Sequence, residues 1–362
     1  MRILCVKASN IRDVRLQKFG RVFSESLGKP DFLGLKRFSD DPDDYRNFGD
    51  VEYVNAEGKS GIALILKMMT FLFFSTYHIY KNRKKYDYFY CADFEAAFPA
   101  YLASFLSNDI KIIYDVYDEF SDRYKIPRIA SQIFISLFER PLRKKSYITI
   151  HVDEYRVKNF DLPEKTIIIQ NSPIKGDSSE KYALSRSSNI ENRPYVATGY
   201  LAEGRGVSSI YNFFRKHSDL QLIVYGRFTD ERWRAKYAEL SNVELHDFIP
   251  QEQLLPKISG CRAIFSLYDP TVEINRLAAS NKLYDAMFLG VPVITNLGIK
   301  AADFVLSHNI GFVVNYEYDD SWENSLIGDG NDFSMKGERG HQLFIEKYDF
   351  SSLSRALIKR MK

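Results

Sequence analysis

The sequence predicts an α/β protein made of two Rossmann-like domains, each built on a parallel sheet. Short apolar segments alternate with longer helical patterns along most of the chain, which is typical of parallel strands covered by helices on both faces. The chain has 362 residues, 45% of them hydrophobic, which is enough for two cores of ordinary size. A polar segment rich in Ser and Asn, residues 174–193, interrupts the alternation and is interpreted as a linker.

The elements follow one another in the same order in both halves. The strands predicted in the first half are 2–6, 86–91, 110–115, 146–151 and 166–170. The helices predicted between them are 14–27, 61–84, 96–105, 130–143 and 153–160. The strands predicted in the second half are 195–198, 221–225, 243–247, 263–267, 293–295 and 311–314, again with helices between them. We therefore expect an N-terminal domain over 1–173, a C-terminal domain over 194–340, and a helix within 341–362 that packs back towards the first domain.

Composition excludes several classes of protein. Cys5, Cys91 and Cys261 are scattered and lack metal-ligand spacing, so we expect reduced core residues of a cytosolic protein. Basic and acidic residues number 50 and 47, and a nucleic-acid-binding protein would concentrate more positive charge. The first predicted strand begins at Arg2 with no signal peptide before it, which favours a cytoplasmic location.

Residues 279–294 are the most informative segment. They indicate a loop, a short helix with Lys282 and Asp285 near its start, an end at Gly290, and a buried strand. A helix N-terminus offers unpaired N–H groups and a positive dipole end, which suit a diphosphate. Lys282 would add a full charge there, and Asp285 could accept hydrogen bonds from a ribose diol.

This segment resembles the donor-site motif of nucleotide-sugar glycosyltransferases of the GT-B fold, family 4 in particular. That motif commonly reads P-N-K-L-x-E-Y/A-M-x-x-G-x-P-V-I; here Ser280 replaces the proline and Asp285 the glutamate. The resemblance implies that Ser280, Asn281, Lys282 and Asp285 bind the donor. It also implies two Rossmann-like domains whose sheets face each other across a cleft. An ordinary strand–helix–strand unit would explain the apolar residues but not Asn281, Lys282 and Asp285 together.

Two further segments of the second half resemble the same family. Residues 199–206 stand where relatives often have G-R-L-x-x-x-K-G, with Arg205 in the place of the lysine and Tyr200 in the place of the arginine. Gly199 and Arg205 are therefore expected at the donor. Arg227, in what resembles the V-G-x-G turn of the family, is either the missing second cation or a solvated surface residue.

The first half resembles these enzymes at residues 10–15 and 114–119. Residues 10–15 are similar to a D-x-R opening of the first helix, which places Arg12, Asp13 and Arg15 on the acceptor side. Residues 114–119 resemble the family's Y-D-x-H-E, in which Tyr117 stands where the histidine would be. Tyr117 is expected on the acceptor side too, although it lacks the pKa that suits a histidine to proton transfer near neutral pH.

Four carboxylates follow predicted strands in this half. They could orient or deprotonate an acceptor hydroxyl, and each alone could equally be a helix cap or a salt-bridge partner. As a cluster they favour catalysis, and the candidates are Asp93, Asp115, Asp118 and Glu119.

The apolar run 61–80 is followed by the basic residues Lys81, Arg83, Lys84 and Lys85. A spanning helix here would separate the first strand from its sheet, so two interpretations remain. The run is either a core helix of the first domain or an amphipathic helix on anionic lipid. Arg140, Arg143, Lys144 and Lys145 could extend such a basic face.

The resemblance implies a hexosyl-type glycosyltransferase that needs no metal or other cofactor. It would move a sugar from a nucleotide diphosphate sugar, with a UDP-sugar favoured, to a carbohydrate or lipid-linked saccharide acceptor. The context expected is bacterial surface polysaccharide or glycolipid assembly, in the cytoplasm or at the inner face of the plasma membrane. A catalytically silent nucleotide-sugar-binding subunit and a GT-B sugar-nucleotide epimerase are the alternatives. The DxD-like residues 41–44 are interpreted as a solvated turn.

Overall fold

The computed structural model describes residues 1–36, 46–55, 61–124, 126–176, 192–278, 280–328 and 330–362. The chain divides into two compact units, Met1–Gln170 together with Leu353–Lys362, and Asn171–Ser352. The DxD-like residues 41–44 and most of the predicted linker 174–193 lie outside the described residues. That linker stays a prediction.

The first unit contains a parallel sheet with the order β3-β2-β1-β4-β5-β6-β7. Its strands are β1 Ile3–Lys7, β2 Asp31–Leu35, β3 Val51–Val54, β4 Tyr88–Ala92, β5 Ile112–Val116, β6 Ile148–His151 and β7 Thr166–Ile168. β1 pairs with β2 on one side and with β4 on the other. The direction of the strand order therefore reverses at β1 and β4, and ligands of such sheets bind outside the carboxyl ends of the strands at this point.

The helices of this unit differ from the prediction in three places, one of which is the short helix Phe120–Arg123, which was not predicted. They are Val14–Ser26, Gly61–Lys81, Phe94–Ala103, Phe120–Arg123, Arg128–Phe134, Arg140–Lys145 and, near the C-terminus, Arg355–Met361. The helix predicted at 130–143 is interrupted by a π-helical turn, Ile135–Glu139. The helix predicted at 153–160 is wrong, because only a 3₁₀ turn, Glu154–Arg156, forms there.

The second unit contains a parallel sheet with the order β10-β9-β8-β11-β12-β13. Its strands are β8 Tyr195–Leu201, β9 Leu222–Phe228, β10 Val243–His246, β11 Ala263–Phe265, β12 Val293–Asn296 and β13 Gly311–Val314. Its helices are Val207–Lys216, Glu231–Ala238, Gln251–Ile258, Glu273–Arg276, Asn281–Leu289, Lys300–His308, Asp320–Leu326 and Gly330–Leu343. Here the strand order reverses at β8 and β11.

The central strands are buried along their whole length because helices cover both faces of each sheet. All residues of β1, β4 and β5 are buried, which explains their continuous apolar sequences. Trp322 and Tyr195 are fully buried in the second unit. The three cysteines are free and buried, as the sequence predicts.

The last ten residues belong to the first unit. The Tyr88 hydroxyl donates to the carbonyl of Met361 (3.0 Å), and the Tyr147 hydroxyl donates to that of Arg360 (2.9 Å). The short helix Phe350–Leu353 spans the boundary between the units in sequence. Among the described residues, no helix is both long and apolar enough to span a membrane.

Candidate active site

The helix that the sequence predicts within residues 279–290, and to which it assigns the donor, forms in the second unit. It runs from Asn281 to Leu289, and Gly290 ends it in the left-handed conformation (φ 67°), which glycine adopts without strain. No side chain caps its N-terminus, because Ser280 donates to or accepts from Ser266 instead (Oγ–Oγ 2.7 Å). The first N–H groups of the helix are therefore left without a side-chain acceptor from the cap residue.

Lys282 lies over the carboxyl end of β8. A Cβ placed on Gly199 would lie 3.8 Å from the Lys282 Nζ, so the ammonium group sits directly above this glycine. Gly199 itself has a φ of 84°. The Tyr268 ring, which follows β11, lies 5.9 Å from the same Nζ. The lysine is thus held where the strand order of this sheet reverses.

Arg205 brings a second cation to the same aromatic ring. Its guanidinium lies 4.0 Å from the centre of the Tyr268 ring and donates to the Asn275 Oδ1 (3.1 Å). Tyr268 is fixed in turn, because the Asn296 side chain accepts from its N–H (2.8 Å) and donates to its carbonyl (2.9 Å). Two cations therefore lie near the ring of one residue whose backbone is held in place, in an arrangement that suits a diphosphate.

The loop that carries Arg205 is held in place by hydrogen bonds to a residue distant in the sequence. Tyr316 accepts a hydrogen bond from the Gly206 N–H (3.1 Å) and donates to the Glu203 carbonyl. Gly206 has a φ of 72°, and a Cβ there would lie 2.5 Å from the Leu267 side chain. A glycine is required at this position on both grounds.

Asp285 lies one turn into the donor helix and is buried, with 7% of its surface exposed. One carboxylate oxygen accepts from the Gln251 Nε2 (2.6 Å). Gln251 begins the helix that follows β10, so the carboxylate is oriented by a residue of a separate helix. A buried carboxylate held in this way is a fixed acceptor of hydrogen bonds.

The remaining predicted donor residues are placed apart from this group. Arg227 lies on β9, paired opposite Tyr200, and its guanidinium is 5.7 Å from the Phe248 ring. The turn predicted at Gly226 and Arg227 is wrong, since both residues belong to a strand. Tyr200 is 65% exposed. Asn281 is exposed and accepts from the Asn171 side chain (2.8 Å).

In the first unit, Asp115 and Arg15 form a fully buried ion pair. Arg15 donates to both oxygens of Asp115 (2.8 and 2.9 Å) and to the carbonyl of Ile169 (2.9 Å). Tyr90 also donates to Asp115. The pKa of Arg15 is raised, because its attraction to Asp115 outweighs burial. Asp115 is completely inaccessible to solvent, so its position is that of a structural ion pair rather than of a base open to substrate.

Glu119 and Asp118 are also ion-paired. Arg143 donates to both oxygens of Glu119 (2.8 and 2.7 Å) inside the unit. The same arginine pairs with two further buried acids, Glu139 and Asp161. Burial raises the pKa of Glu139 to about 7, although Arg143 acts in the opposite direction. This network makes Glu119 part of the core.

Asp118 is the more accessible of the two acids. Its side chain is 42% exposed and lies 2.7 Å from the Arg156 Nη1. Arg12, on the predicted acceptor side, is exposed beside the loop that follows β1, where its N–H donates to the Asn10 side chain (3.1 Å).

A cluster of acids and bases lies where β1, β4 and β5 end. Lys7, the last residue of β1, places its Nζ 3.4 Å from Asp13 and 3.6 Å from Asp93. The same Nζ is 3.9 Å from the centre of the Tyr117 ring, and the Tyr117 hydroxyl donates to Asp13 (3.1 Å). Arg123 completes the cluster by donating to Asp93 (3.0 Å). Tyr117, in place of a histidine, thus acts as a hydrogen-bond donor here.

Asp93 has two unusual properties. Its backbone, at φ 70° and ψ 168°, lies in a region that only glycine occupies without strain. Burial raises the pKa of its side chain to about 6, although Lys7 and Arg123 act in the opposite direction. A carboxylate with this pKa is ionised at neutral pH yet is a stronger base than an ordinary aspartate. Strained, buried and titrating near neutrality, Asp93 has the features of a functional acid.

The pKa of Asp13 is shifted in the opposite direction to the pKa of Asp93. It caps the helix Val14–Ser26 by accepting from the Leu16 N–H (2.9 Å). Burial would raise its pKa, but Lys7, this N–H group and the Tyr117 hydroxyl hold the pKa below the ordinary value. Asp13 is therefore a fixed anion that orients Lys7 and Tyr117.

Sequence reasoning missed several residues of these sites. Lys7, Arg123, Tyr268, Asn275 and Gln251 contact the predicted residues through the folded chain and belong to no local motif. The only signal available was position, since Lys7 ends a strand and Tyr268 closely follows one. Among the described residues, no group of three or more His, Cys, Asp or Glu could hold a metal ion.

Solved structures share this architecture over almost the whole chain. HepE from Anabaena, in complex with UDP and glucose, is 14% identical, with 99% of this chain and 98% of that chain covered and a TM-score of 0.70. WaaG, a glycosyltransferase involved in lipopolysaccharide biosynthesis, is 13% identical, with 100% of both chains covered and a TM-score of 0.65. A putative UDP-N-acetylglucosamine 2-epimerase from Listeria monocytogenes is 9% identical, with 98% and 94% covered and a TM-score of 0.64.

These likenesses confirm the predicted fold class: the chain has the two parallel α/β sheets of the GT-B fold. No family model matches the sequence, and no curated protein matches it. At these identities the likeness establishes the fold alone.

Proposed function

We propose that this protein is a glycosyltransferase that moves a sugar from a UDP-sugar to a hydroxyl of a carbohydrate or lipid-linked saccharide acceptor. The bond between the anomeric carbon and the diphosphate oxygen breaks, and a bond from that carbon to the acceptor oxygen forms. The acceptor proton passes to a carboxylate or to the departing diphosphate. The second unit binds the donor, and the first unit binds the acceptor.

The pair of cations on the Tyr268 ring is the observation that carries this proposal. Lys282 and Arg205 lie at the point where the strand order of the second sheet reverses, beside a helix N-terminus that has no side-chain cap. Negative charge grows on the diphosphate as the glycosidic bond breaks. Cations already fixed in place stabilise that charge without reorganisation.

Asp285 is proposed to accept hydrogen bonds from the ribose of the nucleotide. It is buried one turn along the same helix as Lys282 and is oriented by Gln251. A carboxylate fixed in this way distinguishes a ribose diol from a sugar that lacks one hydroxyl, because the missing hydroxyl removes a charged hydrogen bond.

Asp93 is proposed to orient or deprotonate the acceptor hydroxyl. Of the predicted carboxylates, Asp115 and Glu119 have both oxygens bound to a buried arginine. Asp93 lies directly after β4, where the first sheet reverses its order, and its pKa of about 6 suits proton transfer near neutral pH. The adjacent cation of Lys7 would hold an anionic or polar acceptor group beside it.

The structural neighbours support the nucleotide and the biological setting. HepE was solved with UDP and glucose, and WaaG takes part in lipopolysaccharide biosynthesis. On this basis we favour a UDP-sugar as the donor and assembly of a surface polysaccharide or glycolipid as the pathway, in the cytoplasm or at the inner face of the plasma membrane.

Calorimetric binding of UDP, GDP and ADP tests the donor site. UDP should bind best, and Lys282→Ala should weaken UDP binding by about 30-fold, the loss of one charged hydrogen bond of about 2 kcal/mol. Arg205→Ala should weaken it similarly. The matched control is Lys347→Ala, which removes an exposed lysine of the same unit and should bind UDP like the wild type. Wild-type affinity in Lys282→Ala would reject the diphosphate assignment.

Product analysis separates transfer from the two alternatives. A glycosyltransferase releases UDP in proportion to glycosylated acceptor. A GT-B epimerase converts one UDP-sugar into another while the UDP-sugar total stays constant. A silent subunit binds UDP and the UDP-sugar without converting either, so binding without turnover on any acceptor would overturn the enzymatic proposal and leave the donor site intact.

A further inference from the structure

The helix Gly61–Lys81 is apolar on two opposite sides. Phe71 and Ile79 point into the core of the first unit and are almost fully buried. On the opposite side, Ile65, Phe73 and Tyr77 are 62%, 65% and 62% exposed. These exposed residues recur at intervals of four or eight, so they form one stripe along the helix. A helix that is apolar all round normally has both sides covered.

The segment Arg128–Phe134 with the turn Ile135–Glu139 has the same property. Ile129 and Leu137 are 76% and 61% exposed. On its inner side, Phe134 packs on Phe94 (ring centroids 4.9 Å apart), which begins the helix Phe94–Ala103. The helix Phe94–Ala103 also packs against the helix Gly61–Lys81, so both exposed stripes belong to the helical layer on one side of the first sheet.

We call these exposed residues the apolar face; it consists of Ile65, Leu66, Phe73, Tyr77, Ile129 and Leu137. Exposure of several large aliphatic and aromatic side chains in one helical layer is rare on a protein that meets only water. Such residues indicate a surface that is covered when the protein works.

Exposed positive charges flank the apolar face, and one acid, Glu52, lies 3.5 Å from the His78 Nδ1 of the helix Gly61–Lys81. The sequence of residues 61–81 has no acid, and the single acid of residues 128–139, Glu139, is buried against Arg143. Exposed cations stand at the ends of both stripes. Lys81 lies 5.9 Å from the Tyr77 ring, Lys84 follows it, and Arg128, Arg140 and Lys144 flank the second stripe.

Three residues expected on this basic face are not available to a partner. Arg143 is buried among three acids, and Lys85 pairs with Asp31 (3.0 Å). Arg83 is half-buried, with its guanidinium 4.3 Å from the Tyr80 ring. Of the basic residues 81–85, those that can contact a partner are therefore Lys81 and Lys84.

We propose that the apolar face docks on the surface of an anionic lipid membrane. Aliphatic and aromatic side chains of this kind enter the boundary between headgroups and acyl chains, while the flanking cations pair with anionic headgroups. A second copy of the chain would carry the same exposed cations, among them Lys81 and Arg140, so the excess of positive charge favours anionic lipid over a second copy. This inference deepens the proposed function, because it places the unit proposed to bind the acceptor where a lipid-linked saccharide would be. Vesicle binding is measured in the absence of turnover, so its outcome does not depend on whether the protein transfers a sugar.

Flotation with vesicles tests the proposal. The full-length protein should float with phosphatidylglycerol vesicles at low salt, detach at high salt, and ignore phosphatidylcholine vesicles. Lys81→Gln with Lys84→Gln should weaken binding by about 25-fold, about fivefold for each charge. Lys257→Gln with Lys347→Gln, which removes two exposed lysines of the second unit, should bind like the wild type.

Serine substitutions of exposed apolar residues test whether these side chains enter the membrane. Phe73→Ser and Leu137→Ser should each weaken vesicle binding by about tenfold, because a large exposed side chain no longer leaves water on binding. The matched control is Leu306→Ser, since Leu306 is 59% exposed in the second unit. Unchanged UDP affinity in every variant shows that the fold is intact.

A fluorescent label locates the contact. The native cysteines are all buried, so a cysteine introduced at Phe73 can be labelled selectively with an environment-sensitive dye. Its emission should shift to the blue with phosphatidylglycerol vesicles, while a label at Leu306 should not respond. Wild-type protein that stays unbound at low salt would overturn the proposal. A concentration-dependent dimer that is broken by Phe73→Ser would overturn it in favour of a second copy.

Discussion

Replacing Asp93 by asparagine is expected to stabilise the first unit and to abolish transfer. Most substitutions of buried polar residues destabilise a protein, so a gain in stability would be unusual. The expectation follows from the side-chain pKa and the backbone geometry of Asp93. Both indicate that the native residue is unfavourable for the fold.

The pKa of Asp93 rises from 3.8 in the ordinary state to about 6 in the folded protein. The folded state therefore holds the proton more tightly than the unfolded chain does, and stability falls as the pH rises from about 4 to about 6. Above pH 6 the penalty is complete and amounts to about 3 kcal/mol, since one pKa unit corresponds to about 1.4 kcal/mol. Asparagine cannot ionise, so its gain should be absent near pH 4 and about 3 kcal/mol at pH 8.

Asp93→Gly adds a second effect that does not depend on pH. Relief of the strained backbone contributes about 1–3 kcal/mol, offset by up to about 1 kcal/mol for the greater freedom of the unfolded chain. The glycine variant should therefore retain a small advantage even at pH 4, where the asparagine variant has none.

Calorimetry and tryptophan fluorescence together measure these effects. Both tryptophans, Trp233 and Trp322, belong to the second unit, so their fluorescence follows that unit and should be unchanged by a substitution at Asp93. Calorimetric unfolding between pH 4 and pH 8 reports the first unit as well. Asp109→Asn, at an exposed acid of the first unit, is the matched control.

Two results would refute the reasoning. If Asp93→Asn had the same stability as the wild type at pH 8, the buried carboxylate would carry no penalty. If the variant transferred sugar at the wild-type rate, the acceptor carboxylate would lie elsewhere, with Asp118 the next candidate. A gain in stability together with a loss of turnover by at least about a hundredfold supports both claims, the stability penalty of the buried carboxylate and its role at the acceptor.

Three further variants test the other assignments. Asp285→Asn should weaken UDP binding more than binding of 2′-deoxy-UDP, and equal losses in calorimetry would show that Asp285 does not contact the ribose diol. Arg143→Ala should destabilise the first unit by about 3–5 kcal/mol, because it leaves buried acids unpaired; an unchanged calorimetric transition would contradict this. Asp115→Asn should destabilise that unit by a similar amount, yet retain turnover per folded molecule at low temperature, whereas a hundredfold loss would restore Asp115 as the base.

The donor helix could be predicted almost to the residue because its signals are local. Lys282 and Asp285 stand near the start, Gly290 ends the helix with a φ of 67°, and Pro292 precedes the next strand. Each signal acts within a few residues of its own position. The burial of Asp285 against Gln251 depends on a residue outside this segment, so no local signal indicates it.

Strands that contain glycine were missed or cut short because glycine normally indicates a turn. In β2, a Cβ on Gly34 would lie 2.4 Å from the Phe32 ring, so glycine is needed for the ring to pack. In β9, a Cβ on Gly226 would lie 2.2 Å from the Gly199 carbonyl oxygen. Both glycines are present because another group approaches closely. Neighbouring strands create that requirement, and the local sequence does not show it.

The carboxylates of the first unit could be identified as a group but not sorted by role. Asp93, Asp115 and Glu119 all follow strands or lie near strand ends, and their partners come from distant positions. Asp115 is paired with Arg15, and Glu119 with Arg143. An arginine a hundred residues away cannot be assigned to one acid rather than another from spacing alone. The sequence therefore predicted the same role for all three acids.

The ion pairs of Asp115 and Glu119 help to distinguish an enzyme from a silent subunit. In the first unit, Asp115 and Glu119 are matched by arginines whose charge stabilises them, as expected of groups retained for the fold. Asp93 is different, because its backbone is strained and its pKa is raised despite two adjacent cations. We therefore predict that glycine or asparagine would be better for stability at this position. A strained backbone and a raised pKa, at the point where ligands of such sheets bind, support the proposal that Asp93 serves catalysis rather than folding.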